Sequence, residues 1–173
     1  MTTENSRADA PNAKVIMSTN GYEILVDEED FERCSRVWWH VIKKGYAVRG
    51  IFENGQKFEV KMHRFILGLD RYDGRIVDHA NGNRLDNRKC NLRLCTKAQN
   101  GWNQGPQKTN TTGYKGVSRT PNGRYTSQIR HLGRKHHLGI YPTAEEAHEV
   151  YCLAADLLHG EFANHGHLET SHV

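Results

Sequence analysis

The 173-residue sequence predicts an α+β protein built from two modules, on three observations. Short apolar runs of strand length recur along the chain, with Gly, Asn and Pro between them. Two capping boxes, Thr96 with Gln99 and Thr143 with Glu146, each open a helix behind such strands. Residues 101–112, rich in Gly, Pro, Asn and Thr, separate one α+β module from the next. The expected architecture is a strand–loop–strand–helix core with a β-rich N-terminal support, followed by a three-stranded antiparallel sheet packed on one helix.

Taken in order, residues 1–13 are polar and aperiodic, a disordered tail. Residues 22–26 form a strand, and Asp27 caps a short acidic helix over 28–35. Residues 46–52 and 57–62 flank Asn54-Gly55, two residues that tolerate the positive φ of a tight hairpin turn. Trp38 and Trp39, just before that hairpin, are expected to plug the small core. Residues 64–68 are a short helical piece, and 75–79 a strand that ends on Asp78 and His79. Beyond an Asn/Gly loop, 92–95 supply a partner strand and a helix starts at about Lys97. The second module has strands at 114–120, 124–131 and 136–141, with turns at 121–123 and 132–134. Its helix carries Ala147, Val150, Tyr151, Ala154, Leu157 and Leu158 on one face and stops at Gly160. The resulting boundaries are a tail at 1–13, a β-rich support at 14–61, a core at 62–103, a linker at 104–112, a second domain at 113–164 and a tail at 165–173.

The formal charge of +4 conceals a strong asymmetry. Residues 1–36 carry a net −4 and residues 37–113 a net +8. Residues 114–142 hold six bases and no acid, whereas 143–163 hold five acids and no base. A block of pure positive charge followed by an acidic helix points to a polyanion-facing surface with its support turned away. No run approaches the ~18 apolar residues of a membrane-spanning helix. The N-terminus lacks the apolar stretch of a secretory signal. Cys34, Cys90, Cys95 and Cys152 form no Cys-x-x-Cys pair and are too sparse for a disulfide framework or a cysteine zinc site. A soluble, intracellular protein is expected.

Asp78, His79, Asn87, Asn91 and Asn100 form a dense set of ligand-type side chains. Adjacent residues on a strand point to opposite faces, so Asp78 and His79 converge only at a strand end. Asp and Asn oxygens are hard donors suited to Mg²⁺. A neutral histidine beside such an ion can take a proton from an attacking water near pH 7, and a nearby amide oxygen can fix its tautomer. The set permits metal-assisted phosphodiester hydrolysis, although Asn-rich turns are also structural devices.

The stretch from Met62-His-Arg-Phe-Ile-Leu-Gly through Val77-Asp-His-Ala-Asn-Gly-Asn-Arg-Leu-Asp-Asn-Arg-Lys-Cys-Asn-Leu-Arg to Gln99-Asn resembles the HNH endonucleases. More narrowly, it resembles the phage- and intron-associated homing endonucleases with a ββα-metal site. The resemblance implies that His79 is the general base that activates water. Asp78 and Asn100 would bind one Mg²⁺ (or another divalent cation such as Mn²⁺) per active site, and the products would carry 3′-hydroxyl and 5′-phosphate ends. Asn91 would hold His79 and brace the loop, and Asn87 would brace it too. Asn100 stands where the family name has its last His, and Asn103, one turn on, competes for that role. His63 is expected to be structural or phosphate-contacting.

Residues 113–164 are similar to the apetala/ethylene-response-factor type of DNA-binding domain, through Gly-Tyr-Lys-Gly-Val-Ser-Arg, Gly-Arg-Tyr-Thr-Ser-Gln-Ile-Arg and Leu-Gly-Ile-Tyr-Pro-Thr-Ala-Glu-Glu-Ala. That resemblance implies a sheet lying in the major groove with the helix behind it. Arg119, Arg124, Gln128 and Arg130 are expected on one exposed face, where arginine can fork onto guanine and glutamine pair with adenine. Tyr125 is either near the DNA or in the core. Lys115, Arg134 and Lys135 are expected to contact phosphates, and His136 and His137 either join them or cover the sheet. With these resemblances the whole reads as a site-directed, divalent-metal-dependent DNA endonuclease of the homing type, expected in the cytoplasm of a bacterial or phage-infected cell, with double-stranded DNA as partner and neither a membrane nor a small-molecule substrate. The alternatives are a DNA-binding regulator with an inactive nuclease core and a less specific RNA or DNA nuclease. One catalytic set per chain implies one nick per monomer, and the oligomeric state is left open.

Overall fold

The computed structural model describes residues 13–166, so the tail at 1–12 and residues 167–173 lie outside the described part. The chain forms several small antiparallel sheets and few helices, in two compact units, Met1–Leu94 and Cys95–Val173.

In the first unit, β1 (Ala13–Met17) and β2 (Glu23–Asp27) form an antiparallel hairpin. Only Ile16 of β1 is buried, so this strand carries no alternating signal and its sequence reads in part as tail. The acidic α1 (Glu28–Ser35) follows directly. Asp27 stands at its N-cap position, but its carboxylate accepts from the Lys89 amide (2.7 Å) and makes no cap bond. A second sheet has the order β3 (His40–Val41), β4 (Ala47–Glu53), β5 (Gln56–Lys61). Its hairpin turns on Asn54 and Gly55, with φ of 52° and 75°, as their side chains permit. Helix α2 (Met62–Ile66) then leads to β6 (Ile76–His79), which pairs with β7 (Leu92–Cys95).

The core of this unit gathers Ile24, Val26, Cys34, Trp39, Met62 and Ile66. Trp39 is buried and its indole N–H donates to the Cys34 carbonyl (2.9 Å), but Trp38 is 85% exposed. The expectation that both tryptophans plug the core fails for Trp38, because neighbouring side chains of extended backbone point to opposite sides.

The second unit opens with α3 (Lys97–Trp102), where Thr96 and Gln99 close a complete capping box. The end of α3 is tied down inside this unit. Trp102 stacks on His159 at 4.4 Å between ring centroids, Lys115 Nζ donates to the Trp102 carbonyl (2.7 Å), and the Asn164 amide donates to the Asn103 carbonyl (2.8 Å). Residues 101–112 contain an Asn110 side-chain turn that accepts from Thr112 and Gly113. Three antiparallel strands follow, β8 (Val117–Arg119), β9 (Tyr125–His131) and β10 (Arg134–Tyr141), with β9 in the centre. A register shift at Leu138 bends β10, and Leu132 and Gly133 make the tight turn before it, with φ of 47° and 77°.

Helix α4 (Ala144–His159) packs on this sheet, capped by the Thr143 hydroxyl and stopped at Gly160. Its buried stripe is Ala144, Ala147, Tyr151, Ala155 and His159. Leu157 is 86% exposed and Leu158 is also exposed, which corrects the expected core face. Small alanines let the helix lie close to the sheet, so the buried stripe is narrow and the leucines fall at its edges.

Candidate active site

Strand β6 ends on the two residues singled out from the sequence, and both are buried. Asp78 is held by Arg93 on β7, whose Nε and Nη2 both reach Oδ2 (2.9 and 2.8 Å). His79 has other neighbours. Its imidazole hydrogen-bonds the Asn87 side chain and lies edge-on to His63, 5.1 Å between centroids. Burial pushes the His79 pKa down, while the Asn87 bond and the charges of Asp78 and Asp86 act against that shift. The ring is therefore neutral near pH 7. His63 is pushed further, to about 3, by burial first and then by His79, Lys61 and Arg64. Tyr46 completes the aromatic group, 5.4 Å from His63 and 6.0 Å from His79.

The loop between β6 and β7 is shaped by its own amides. Asn81 Oδ1 accepts from the Asn83 amide (2.8 Å) and Asn83 Oδ1 from the Leu85 amide (3.0 Å). Asn91 crosses the loop, accepting from the Asn81 amide (2.9 Å) and donating to the Asp86 carbonyl (2.7 Å). Thus Asn91 pins loop backbone, and the amide bonded to His79 is that of Asn87.

Asp86, which the sequence reading does not single out, is the hub. It is 1% exposed, and it receives the Arg88 fork (2.8 and 2.7 Å) and the Asn81 amide (2.9 Å). Burial would raise its pKa, but those donors outweigh it and hold the carboxyl below its ordinary value. The available signal was an Asp two residues before an Arg in an Asn-rich loop. Strand β2 clamps the same loop from outside, through Leu25 to the Leu85 carbonyl and the Asn87 amide to Leu25, each 2.8 Å.

Asn100 and Asn103 belong to α3 and its cap in the second unit. Asn100 is half-buried, and Asn103 is buried at the cap position.

The sheet of that unit sorts the expected nucleic-acid contacts by face. Thr126, Gln128 and Arg130 alternate on the side away from α4, with Lys135 opposite Arg130 and His137 opposite Gln128. Thr126 hydrogen-bonds both His137 (3.2 Å) and Gln128 (3.4 Å), and the exposed Arg124 reaches the Ile140 carbonyl (3.4 Å). Arg119 pairs with Tyr125, a core residue of this unit, so the register places Arg119 on the helix side and not with Arg124, Gln128 and Arg130. Arg134 lies opposite His131 and shares that side. Lys115 is turned inward onto the Trp102 carbonyl, and burial pushes its pKa down to about 8. Thr126 and His137 were the residues of the outer face that the sequence reading left out or undecided.

A buried carboxylate and a buried, amide-held imidazole thus stand at one strand end, bounded by an Asn-braced loop. Residues 70–102 match the family model for HNH endonucleases. The chain is 35% identical over 134 residues to an uncharacterized HNH endonuclease of Acanthamoeba polyphaga mimivirus, covering 75% of this chain and 66% of that protein. It is 32% identical over 91 residues to protein 3.8 of Escherichia phage T7, covering 52% of this chain and 74% of that one. The chain thus spans about two thirds to three quarters of the length of these relatives. No solved structure matches. The chain carries an HNH endonuclease domain at residues 70–102 and is similar beyond it to a viral HNH endonuclease.

Proposed function

We propose that the protein is a site-directed, divalent-metal-dependent DNA endonuclease of the homing type, leaving 3′-hydroxyl and 5′-phosphate ends. The observation that carries this reading is His79, a buried, neutral imidazole hydrogen-bonded by Asn87 and placed next to the Asp78 carboxylate. His79 accepts the proton of the attacking water, Asn87 fixes the ring, and Asn91 with Asp86 keeps the loop in shape. Asp78 offers a carboxylate, and Asn100, the half-buried asparagine of the two on α3 and its cap, an amide oxygen; each is a hard donor of the kind that would suit a divalent cation. A divalent ion such as Mg²⁺ would supply Lewis-acid stabilisation of charge on the scissile phosphate and leaving oxygen. Arg93 balances the Asp78 charge.

The second unit supplies recognition in this reading. The outer face of β8–β10, with Arg124, Gln128, Arg130, Lys135 and His137, has the donors that read base edges and phosphates in a major groove, as in an ethylene-response-factor-like domain. The acid-free composition of that segment supports it.

The test is incubation of supercoiled plasmid and candidate-locus duplexes with Mg²⁺ or with EDTA. Cleavage with Mg²⁺ alone is expected, and His79→Ala should abolish it while leaving DNA binding nearly intact. Specific binding by a wild type that cuts nothing overturns the endonuclease reading.

A further inference from the structure

Many cations of the first unit are paired: Lys14, Arg33, Arg36, Arg71, Arg75, Arg88, Lys89 and Arg93 each have an acidic partner. Lys44, Lys61 and Arg84 are among those that make no salt bridge among the described residues, and Lys61 and Arg84 converge on one ring with Lys44 nearby. Lys61 Nζ lies 4.8 Å from the Tyr46 ring centroid and the Arg84 guanidinium 4.9 Å from it. Arg84 is fixed there by a bond to the Lys44 carbonyl (2.7 Å). The same ring lies 6.0 Å from His79. Beside it a cavity of about 520 Å³ is lined by Lys43, Lys44, Gly45, Gly82, Asn83 and Arg84, among others.

Holding these charges together without a counter-ion is unfavourable. Burial and the neighbouring Arg64, Lys44 and Arg84 press the Lys61 ammonium below its ordinary pKa, and Glu59 alone opposes them. A fold stabilises such a cluster when an anion from outside completes it. The spacing on the tyrosine face matters too, since cation–π contacts keep two long side chains in place that would otherwise sample many rotamers.

We propose that Lys61 and Arg84, arrayed on Tyr46, form with the neighbouring Lys44 a phosphate platform that grips the DNA backbone next to the bond cut at His79. This rests on the endonuclease reading and gives the N-terminal strands a substrate-binding role. Two of the three residues precede the motif, Lys44 between β3 and β4 and Lys61 at the end of β5, while Arg84 comes from its loop. The platform positions but does not specify, because phosphates carry no sequence information.

The experiment measures duplex affinity against salt concentration in EDTA, so that no cleavage is needed. The proteins compared are wild type, Lys44→Gln, Lys61→Gln, Arg84→Gln, Lys61→Arg, and Lys57→Gln as an exposed cation on the same hairpin. Each of the first three Gln variants should lower the slope of log affinity on log salt by about 0.9, the value for one lost phosphate contact. Lys61→Arg and Lys57→Gln should keep the wild-type slope, with thermal unfolding confirming that all are folded. Equal slopes in Lys57→Gln and the three platform variants overturn the proposal, as does a wild type that binds no duplex at low salt. Cleavage with Mg²⁺ is scored separately: a wild type that binds with the platform slopes but never cuts removes the endonuclease reading and leaves the platform standing.

Discussion

Asn87 and Asn91 are four residues apart, both buried, and do different things. The Asn87 amide bonds the His79 ring, and Asn91 bonds only backbone, at Asn81 and Asp86. Deleting each side chain should separate catalysis from stability. Asn87→Ala frees the imidazole to rotate, and cleavage should fall on the order of 10–100-fold, the usual scale for losing an orienting partner. Asn91→Ala leaves the part-buried Asn81 N–H and the buried Asp86 C=O without their side-chain partner, and unfolding should become easier by about 1–3 kcal/mol. Measured cleavage rates and chemical denaturation of the two variants check this. A larger catalytic loss in Asn91→Ala at unchanged stability would reverse the assignment. The residue types at this site were legible from the sequence, because Asp-His followed by Asn-rich spacing is chemically unusual. Which asparagine meets the histidine was not, since that depends on how the loop folds back over β6. Asp86 was hidden for the same reason: in sequence it is one acid among many, and only burial under the Arg88 fork makes it a hub.

Elements announced by local chemistry were legible, and those that exist only through pairing were not. The Asn54-Gly55 turn, the Thr96/Gln99 box and the Gly160 stop all depend on a few adjacent residues, and the chain uses each of them. Strands β1 and β3 lack such signals: one is almost wholly exposed and the other is two residues long. Register was the other hidden quantity, and it moved Arg119 from the outer face to the helix side. The contact between β8 and α4 shows how tight that packing is. Gly116 has φ of +78°, and a Cβ there would sit 2.0 Å from the Tyr151 ring. Gly116→Ala therefore adds backbone strain and forces a buried aromatic off its seat. Destabilisation of about 1–3 kcal/mol or more is expected, with loss of near-ultraviolet circular dichroism from displaced Tyr151. Gly123→Ala, also at positive φ but in open space, separates the two costs and should lose only the strain component. Equal destabilisation of the two variants would remove the Tyr151 contact as the cause.

Across the molecule, charge is organised by whether a partner lies within the chain. The acids of the N-terminal segment are consumed at home, Glu28 by Lys14, Asp30 by Arg33 and Lys89, and Glu32 by Arg36. The stretch 114–142 that forms β8–β10 holds six bases and no acid, and none of those bases makes a salt bridge among the described residues. Histidine follows the opposite rule: His63, His79 and His159 are buried, and burial lowers the pKa of all three. Acid sensitivity of the folded chain follows from the sign of these shifts. The unfolded chain binds protons at histidine below about pH 6.5, whereas folded His63 does so only near 3. Between those values the unfolded state holds more protons, so stability is complete above pH 6.5 and falls as pH drops toward 3. Asp86, held below its ordinary value of 3.8, contributes with the same sign but only under that pH, so it does not mask the histidine window. Each fully shifted histidine contributes a slope of about 1.4 kcal/mol per pH unit. His63→Gln should thus flatten the dependence between pH 6 and 4 by up to that amount, whatever it does to stability at pH 7. Urea unfolding at half-unit pH steps reads the slope directly, and parallel curves for wild type and His63→Gln would show that His63 is not held neutral by the fold.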